Sequence, residues 1–368
     1  MSKKILLDAP NIGKTEKIFV NRAIDSGYVS TVGPFVPDFE ERFACLIGVK
    51  KAVSTQSGTA ALHMALYETG VGPGDEVIVP ALTFVASVNP ILYVGAKPVF
   101  VDVDPGTWNM SPEEFAKNIT GRTKAVIPVH LYGNPCKMDD ITKIARAKNI
   151  AVIEDATESL GALYKGRHTG TFGEFGCFSF NGNKTITTGG GGMVVGKSAK
   201  RIDHIKFLVN QSREGAKGYY HPEIGFNLRM TNIEAALGLA QINRFKGLLK
   251  IKKRIHVIFR EELASEELIV FQDEYPGAHS SRWLTCVCFR SDIRVEDIRN
   301  KLAEKGVPTR RVFMPIWEFP PYKKAERGDM SNTRAIYRNG LCLPSSTLNG
   351  ERDIMRAAKE IRTILRKV

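Results

Sequence analysis

The sequence predicts an α/β protein in which a parallel sheet wound with helices is followed by a smaller α+β domain. Three observations predict it. From about residue 50 to 195, short β-branched runs alternate with helical stretches. A charge-rich helical stretch begins near Asn232 and runs toward Leu263, and past it the pattern changes to one strand and two helices. The chain has 368 residues, 43% hydrophobic and 25% charged, which is enough to bury a large core and excludes collagen, coiled coil and a disordered chain.

Taken in order, the strands are expected at 76–79, 98–102, 125–130, 151–155, 177–180 and 193–195. Helices are expected at 58–69, where Ala60, Leu62, Met64, Ala65 and Leu66 make a broad apolar surface, and at 139–148. Gly72-Pro73-Gly74 and Gly133-Asn134-Pro135 mark turns. The small domain should hold a strand at 283–289 and helices at 295–305 and 353–366. The basic stretch of Arg244, Lys246, Lys250, Lys252, Lys253 and Arg254 would then link a large domain, 1–245, to a small one, 246–368, on which the N-terminal segment could also pack. Residues 77–96 carry no charge over a bilayer-spanning length, but Pro80, Asn89, Pro90 and Gly95 cut the run into a buried strand, a loop and a short helix, so no membrane span is expected.

Fifty-two Lys and Arg against 39 Asp and Glu give a net charge of +13, which favours anionic partners. Six scattered cysteines and an N-terminus without a signal-like apolar region point to a cytoplasmic protein with reduced thiols, in which the sequons at Asn118, Asn183 and Asn210 stay unmodified. Gly13-Lys14-Thr15 looks like the end of a phosphate-binding loop, but Asp8 stands where that motif needs its first glycine, so it reads as a helix start. Gly189 to Gly192 does not form the dinucleotide fingerprint. Cys286 and Cys288 alternate along a strand with no matching pair at ligand spacing, so they read as core and no metal is expected. The basic helix lacks interleaved aromatics, which argues against nucleic acid.

The informative residues are spread over the large domain. Ser57-Gly58-Thr59 precedes a helix, where free backbone N–H groups and the Thr59 hydroxyl would bind an anion. Asp155 ends an apolar strand at the edge where open α/β sheets bind ligands. Ser179 lies in the strand Cys177-Phe-Ser-Phe180, and Lys184 follows in Asn181-Gly-Asn-Lys184, just before a glycine-rich stretch. Each has an ordinary reading as a cap, a turn or a solvated lysine. Together they are the parts a pyridoxal phosphate site needs: an amine for the Schiff base, an anion for the ring nitrogen and donors for the phosphate.

Ser57-Gly58-Thr59-Ala-Ala-Leu, Pro80-Ala-Leu-Thr-Phe84, Val129-His-Leu-Tyr-Gly133, Glu154-Asp155-Ala-Thr-Glu158-Ser, Gly176-Cys-Phe-Ser179-Phe, Lys184 and Gly225-Phe-Asn227-Leu-Arg-Met-Thr-Asn resemble the DegT/DnrJ/EryC1/StrS aminotransferases, in order and over nearly the whole chain. The segment Asn181-Gly-Asn-Lys184-Thr-Ile-Thr-Thr-Gly is similar to the branch that makes 4-amino-4,6-dideoxy sugars of the perosamine, legionaminic or bacillosamine type. The resemblance implies a type I fold with a mostly parallel seven-stranded sheet. It also implies pyridoxal 5'-phosphate, pyridoxamine 5'-phosphate in the half-reaction, L-glutamate as donor, a UDP- or GDP-linked keto sugar as acceptor, and a homodimer with shared sites.

By the same resemblance Lys184 is the catalytic amine and Asp155 pairs with the ring nitrogen. Phe84 stacks on the ring, and Gly58, Thr59 and Ser179 bind the phosphate. Glu158 sits near the phenolic oxygen, and Asn227 reaches the phosphate in the neighbouring subunit. Two positions depart from the commoner pattern: Glu158 replaces a frequent Gln, and Trp317 replaces the His of a Pro-Leu-His segment. A nucleotide-sugar 3-aminotransferase and a non-catalytic regulator on the same fold remain as alternatives.

Overall fold

The computed structural model describes residues 4–290 and 293–367, so the first three residues of the N-terminus read above for a signal lie outside it. Across the large sheet the strands run Ala52–Thr55, Gly192–Gly196, Phe175–Ser179, Ala151–Asp155, Thr123–Val126, Glu76–Pro80, Lys97–Val101 and Glu326–Arg327. All are mutually parallel except Gly192–Gly196, which is antiparallel to both its neighbours. Six of these lie where strands are expected; Ala52–Thr55, which the pattern does not mark, completes the seven that the resemblance implies. The eighth is a two-residue edge strand lent by the C-terminal part, too short to leave a pattern in the sequence. The innermost strands are buried on both faces, as their unbroken apolar runs require.

Two expected strands are shorter than the sequence suggests. The run expected at 125–130 is a regular strand only to Val126, because Pro128 has no N–H to donate; beyond it the Ile127 N–H still donates to the Ile78 carbonyl at 2.8 Å and Val129 bridges to Asp155. The strand expected at 283–289 begins at Cys286, since backbone groups just before it bond side chains instead of a ladder: the Trp283 carbonyl accepts from Lys252 Nζ at 2.9 Å and the Thr285 N–H donates to Ser345 Oγ at 2.9 Å. Gly13-Lys14-Thr15 does open a helix, Lys14–Asp25, with the Gly13 N–H donating to the Glu16 carboxylate at 2.8 Å.

Helix Asn232–Glu262 starts at a capping box between Thr231 and Glu234 and runs for 31 residues. Its first half, through Ala235, Leu239, Phe245 and Leu248, packs in a core with Phe39, Phe43 and Phe178. Its second half, through Ile255, Ile258 and Phe259, packs in another with Val287, Leu341 and Ile354. That second core covers an antiparallel sheet ordered Ile269–Phe271, Cys286–Phe289, Gly340–Cys342, Arg310–Arg311. Ile5 joins it, and the Leu6 N–H donates to Asn349 Oδ1 at 2.9 Å, so the N-terminal segment lies against the C-terminal part. Among the described residues no helix is long and apolar enough to cross a membrane.

His168 ties down the turn beside the central strands. Its Nε2 accepts from the Gly161 N–H at 2.8 Å and its Nδ1 donates to the Thr169 carbonyl at 2.7 Å, so a second proton on Nε2 would face another N–H. Burial pushes its pKa down to about 4. A histidine whose folded pKa lies below its unfolded value costs stability as pH falls from about 6.5 toward 4, because only the unfolded chain takes up the proton. Urea unfolding at pH 7 and pH 4.5 should show His168 contributing about 2–3 kcal/mol of the acid loss. His168→Gln should remove that share; an unchanged pH slope in the variant would refute it.

Candidate active site

A cavity of ≈ 380 Å³ opens at the C-terminal edge of the parallel strands, where loops from the large sheet meet Trp283, Arg310 and Phe313 of the C-terminal part. Of the eight site residues expected from sequence, Gly58, Thr59, Phe84, Glu158, Ser179 and Lys184 line it. Asp155 is just behind the lining, 2% exposed at the end of strand Ala151–Asp155. Asn227 is exposed and lies outside its own chain's cavity, its side-chain oxygen accepting from Arg229 Nη2 at 3.3 Å. Two larger clefts, ≈ 460 and ≈ 410 Å³, lie elsewhere and contain none of these residues.

Lys184 follows the strand Phe175–Ser179 and is held by a turn in which its N–H donates to the Asn181 carbonyl at 3.0 Å. Its Nζ lies 3.6 Å from Glu158 Oε1 and 4.0 Å from the centre of the Trp283 ring. The other Glu158 oxygen accepts from the Tyr132 N–H at 2.8 Å. Burial pushes the Glu158 carboxyl above the ordinary carboxylate range; the Lys184 charge opposes this and the nearby Asp155 charge adds to it. Thr157, whose N–H donates to Asp155 Oδ1 at 3.0 Å, lines the cavity together with Lys184, so the amine and the strand-end carboxylate lie on one side of the molecule.

The wall behind Glu158 is aromatic. Tyr132, fully buried with a left-handed φ of 56°, stacks between Trp283 at 6.3 Å and Phe313 at 5.2 Å, and its hydroxyl accepts from the Phe313 N–H at 2.9 Å. A bulky residue at positive φ is strained, and here hydrogen bonds and stacking on both sides hold it. Arg310 covers the same wall, with its guanidinium 5.8 Å from the Trp283 ring and 5.4 Å from the Phe313 ring. Tyr132, Trp283, Arg310 and Phe313 were not found from sequence. Each sits in an apolar or basic stretch that reads as core or surface, and only the long-range contact gives it a role.

Asp155 is oriented twice over. Its Oδ2 accepts from the Ser87 hydroxyl at 2.6 Å and its Oδ1 from the Thr157 N–H at 3.0 Å. The preceding Glu154 points to the opposite face and gathers the N–H groups of Gly170, Phe172 and Gly173 at 2.8, 2.6 and 2.7 Å, which locks the strand end. His130 Nδ1 accepts from the Cys136 N–H, so its Nε2 carries the proton and donates to Glu154 at 3.0 Å.

The residues fit pyridoxal phosphate. Helix Gly58–Glu68 begins at the cavity with Ser57 as its cap, and the first-turn N–H groups of Gly58 and Thr59 have no acceptor within the helix. Gly58 must be glycine, since a Cβ there would lie 2.8 Å from Ser179 Cβ and 3.0 Å from Thr157 Cγ2 and close the space beside the anion site. The Thr59 and Ser179 side chains share that lining, Phe84 is half-exposed over it, and Lys184 supplies an amine.

The DegT/DnrJ/EryC1/StrS aminotransferase family matches residues 10–362. This chain belongs to that family. The aminotransferase is 42% identical over 322 residues to the GDP-perosamine synthase of Escherichia coli O157:H7, covering 88% of each chain. It is 39% identical to the GDP-perosamine synthase of Caulobacter vibrioides, covering 98% of each. Among solved structures, the PLP form of Spr1654 from Streptococcus pneumoniae superposes with a TM-score of 0.95 at 28% identity over 99% of both chains. The expected type I aminotransferase fold is therefore the observed one, and the family binds pyridoxal phosphate.

Proposed function

We propose that this aminotransferase moves an amino group from L-glutamate to C4 of a nucleotide-linked 4-keto-6-deoxy sugar, making a 4-amino-4,6-dideoxy sugar for surface polysaccharide or glycan biosynthesis. The observation that carries this reading is the near full-length similarity to GDP-perosamine synthases in a chain that keeps a lysine in the cavity. When bound, pyridoxal phosphate supplies an electron sink and, alternating with its pyridoxamine form, carries the amino group between donor and acceptor.

The protein does the rest. Gly58, Thr59 and Ser179 would hold the phosphate, Asp155 would keep the ring nitrogen protonated, and Phe84 would cover the ring. The Lys184 amine would take the proton from the donor's α-carbon and return one at the acceptor carbon. Trp283, Tyr132 and Phe313 close the inner side against water. In a homodimer, Asn227 of the partner subunit would complete the phosphate site.

The test is a half-reaction followed by the full one. The protein loaded with pyridoxal phosphate should lose its visible band on adding L-glutamate and release 2-oxoglutarate. It should then aminate a GDP- or UDP-linked 4-keto-6-deoxy sugar. Activity on a 3-keto nucleotide sugar instead would favour the 3-aminotransferase, loading without a half-reaction would favour a regulator, and failure to take up the cofactor would remove the proposal.

Glu158 gives a second handle. Because its carboxyl titrates above the usual range, an anion forms beside Lys184 only as pH rises through that raised value. The acid limb of the kcat/KM profile should therefore lie higher than an ordinary carboxyl would place it. Glu158→Gln should flatten that limb at a cost of no more than about tenfold in the plateau, since the amide keeps an oxygen for the Tyr132 N–H and loses only the long ion pair to Lys184. An unaltered limb in the variant would remove Glu158 from the profile.

A further inference from the structure

Lys252 is a lysine that the proposed mechanism does not use. It sits on the long helix with its side chain 2% exposed, and its Nζ donates to Asp8 Oδ1 at 2.8 Å and to the Trp283 carbonyl at 2.9 Å. Asp8 comes from the N-terminal segment, its side chain is 7% exposed, and its Oδ2 is buried with no hydrogen-bond partner. An ion pair buried with an orphaned oxygen is a poor device for stability alone, since a well-packed apolar pair of the same size is commonly as stable or more so. What the pair adds is position, and the residue it positions is Trp283.

Trp283 is pinned at both ends. Lys252 holds its carbonyl, while its indole Nε1 donates to the Asn183 carbonyl at 2.7 Å. That carbonyl belongs to the peptide bond leading into Lys184, whose Nζ lies 4.0 Å from the centre of the same ring. The chain of contacts thus runs from Asp8 through Lys252 and Trp283 to the backbone and amine of Lys184, joining the N-terminal segment, the long helix and the C-terminal part at one point. Charge points the same way: burial raises the Asp8 carboxyl and lowers the Lys252 amine, and both feel the Lys184 charge.

We propose that Asp8 and Lys252 are positioning residues whose buried ion pair fixes the Trp283 carbonyl and, through the indole, the Asn183–Lys184 peptide on which the capturing amine is mounted. The inference rests on the cofactor reading above and names the residues that set up its lysine. Capture requires the Lys184 amine to meet the aldehyde carbon at a bonding angle, so freedom in that peptide slows the encounter even when the cavity is unchanged.

The test is the rate at which cofactor-free protein takes up pyridoxal phosphate, followed by the growth of visible absorbance. Lys252→Met should slow capture about tenfold, the order of one charge-assisted hydrogen bond. Trp283→Phe keeps a ring over the amine but loses the N–H to Asn183, and should slow capture by a similar factor. The double variant should be no slower than either single change, because both break one chain of contacts. Ile258→Ala, a cavity in the same helix, is the control for lost stability and should capture at the wild-type rate.

Wild-type rates in Lys252→Met or Trp283→Phe, or a control as slow as Lys252→Met, would overturn the inference. If Lys252→Met does not fold, Trp283→Phe decides: a wild-type rate overturns and a tenfold loss supports. Wild-type protein that takes up no cofactor would sink the cofactor reading together with this one, whereas normal uptake unaffected by the variants sinks only this one.

Discussion

Lys184→Ala should lose the visible band of the bound cofactor, and turnover should fall by about 10⁴-fold, the upper range for removing a group that transfers the proton. The geometry explains why no neighbour can replace it. Among the described residues Lys184 is the only lysine lining the cavity; Lys252, the other lysine close to Trp283, is fully buried and committed to Asp8 and the Trp283 carbonyl. Folding should be nearly unaffected. The ion pair with Glu158 is long, at 3.6 Å, and a Glu158 carboxyl already raised by burial can stay protonated once the cation is gone. Lys184→Arg separates charge from nucleophilicity. A guanidinium keeps the positive charge over the Trp283 ring but stays protonated at every accessible pH, so it neither captures the aldehyde nor carries the proton. Absorbance spectra and glutamate half-reaction rates of both variants check this, and turnover within tenfold of wild type in either would disprove the assignment.

The sequence shows where chemistry can happen more readily than what surrounds it. Lys184, Asp155 and Gly58 are legible because each sits at a local signal: a glycine-rich neighbourhood, the end of a β-branched run, or a Ser-Gly-Thr helix start. Those signals depend on backbone constraints within a few residues. Trp283 carries no such mark, since its bond to Asn183 spans 100 positions and in isolation it looks like the first residue of a strand. Asp8 is a sharper case. The sequence shows only that it spoils a phosphate-binding loop at Gly13, while its partner Lys252 lies 244 positions away in a basic stretch that reads as the link between two domains. A lysine at helical spacing among other basic residues gives no hint of burial, because burial is decided by what the N-terminal segment lays over it. The edge strand Glu326–Arg327 and the early end of Thr123–Val126 were missed for related reasons, one being too short to have a period and the other turning on the missing N–H of a single proline.

Asp155→Asn tests the other half of the site, and its expected signature differs from that of Lys184. The carboxylate is already held by two donors, the Ser87 hydroxyl and the Thr157 N–H, so it is fixed before any ligand arrives. An amide of the same shape removes the negative charge while keeping both contacts: its oxygen still accepts from the Thr157 N–H, and its NH2 donates to the Ser87 hydroxyl, which turns to donate to Thr83 at 2.7 Å. On the role proposed for Asp155 the ring nitrogen would lose its anionic partner and the electron sink would weaken, so the rate of the glutamate half-reaction should fall about 10³-fold, comparable to removing one preorganised electrostatic contact elsewhere in catalysis. Cofactor retention should suffer far less, because the phosphate cradle at Gly58, Thr59 and Ser179 and the amine of Lys184 are untouched. Single-turnover kinetics with glutamate, read beside the Kd for pyridoxal phosphate, separates the two effects. A variant that binds cofactor poorly yet turns over normally once saturated would mean that Asp155 only builds the pocket, whereas normal binding with a thousandfold slower half-reaction places its charge at the ring nitrogen.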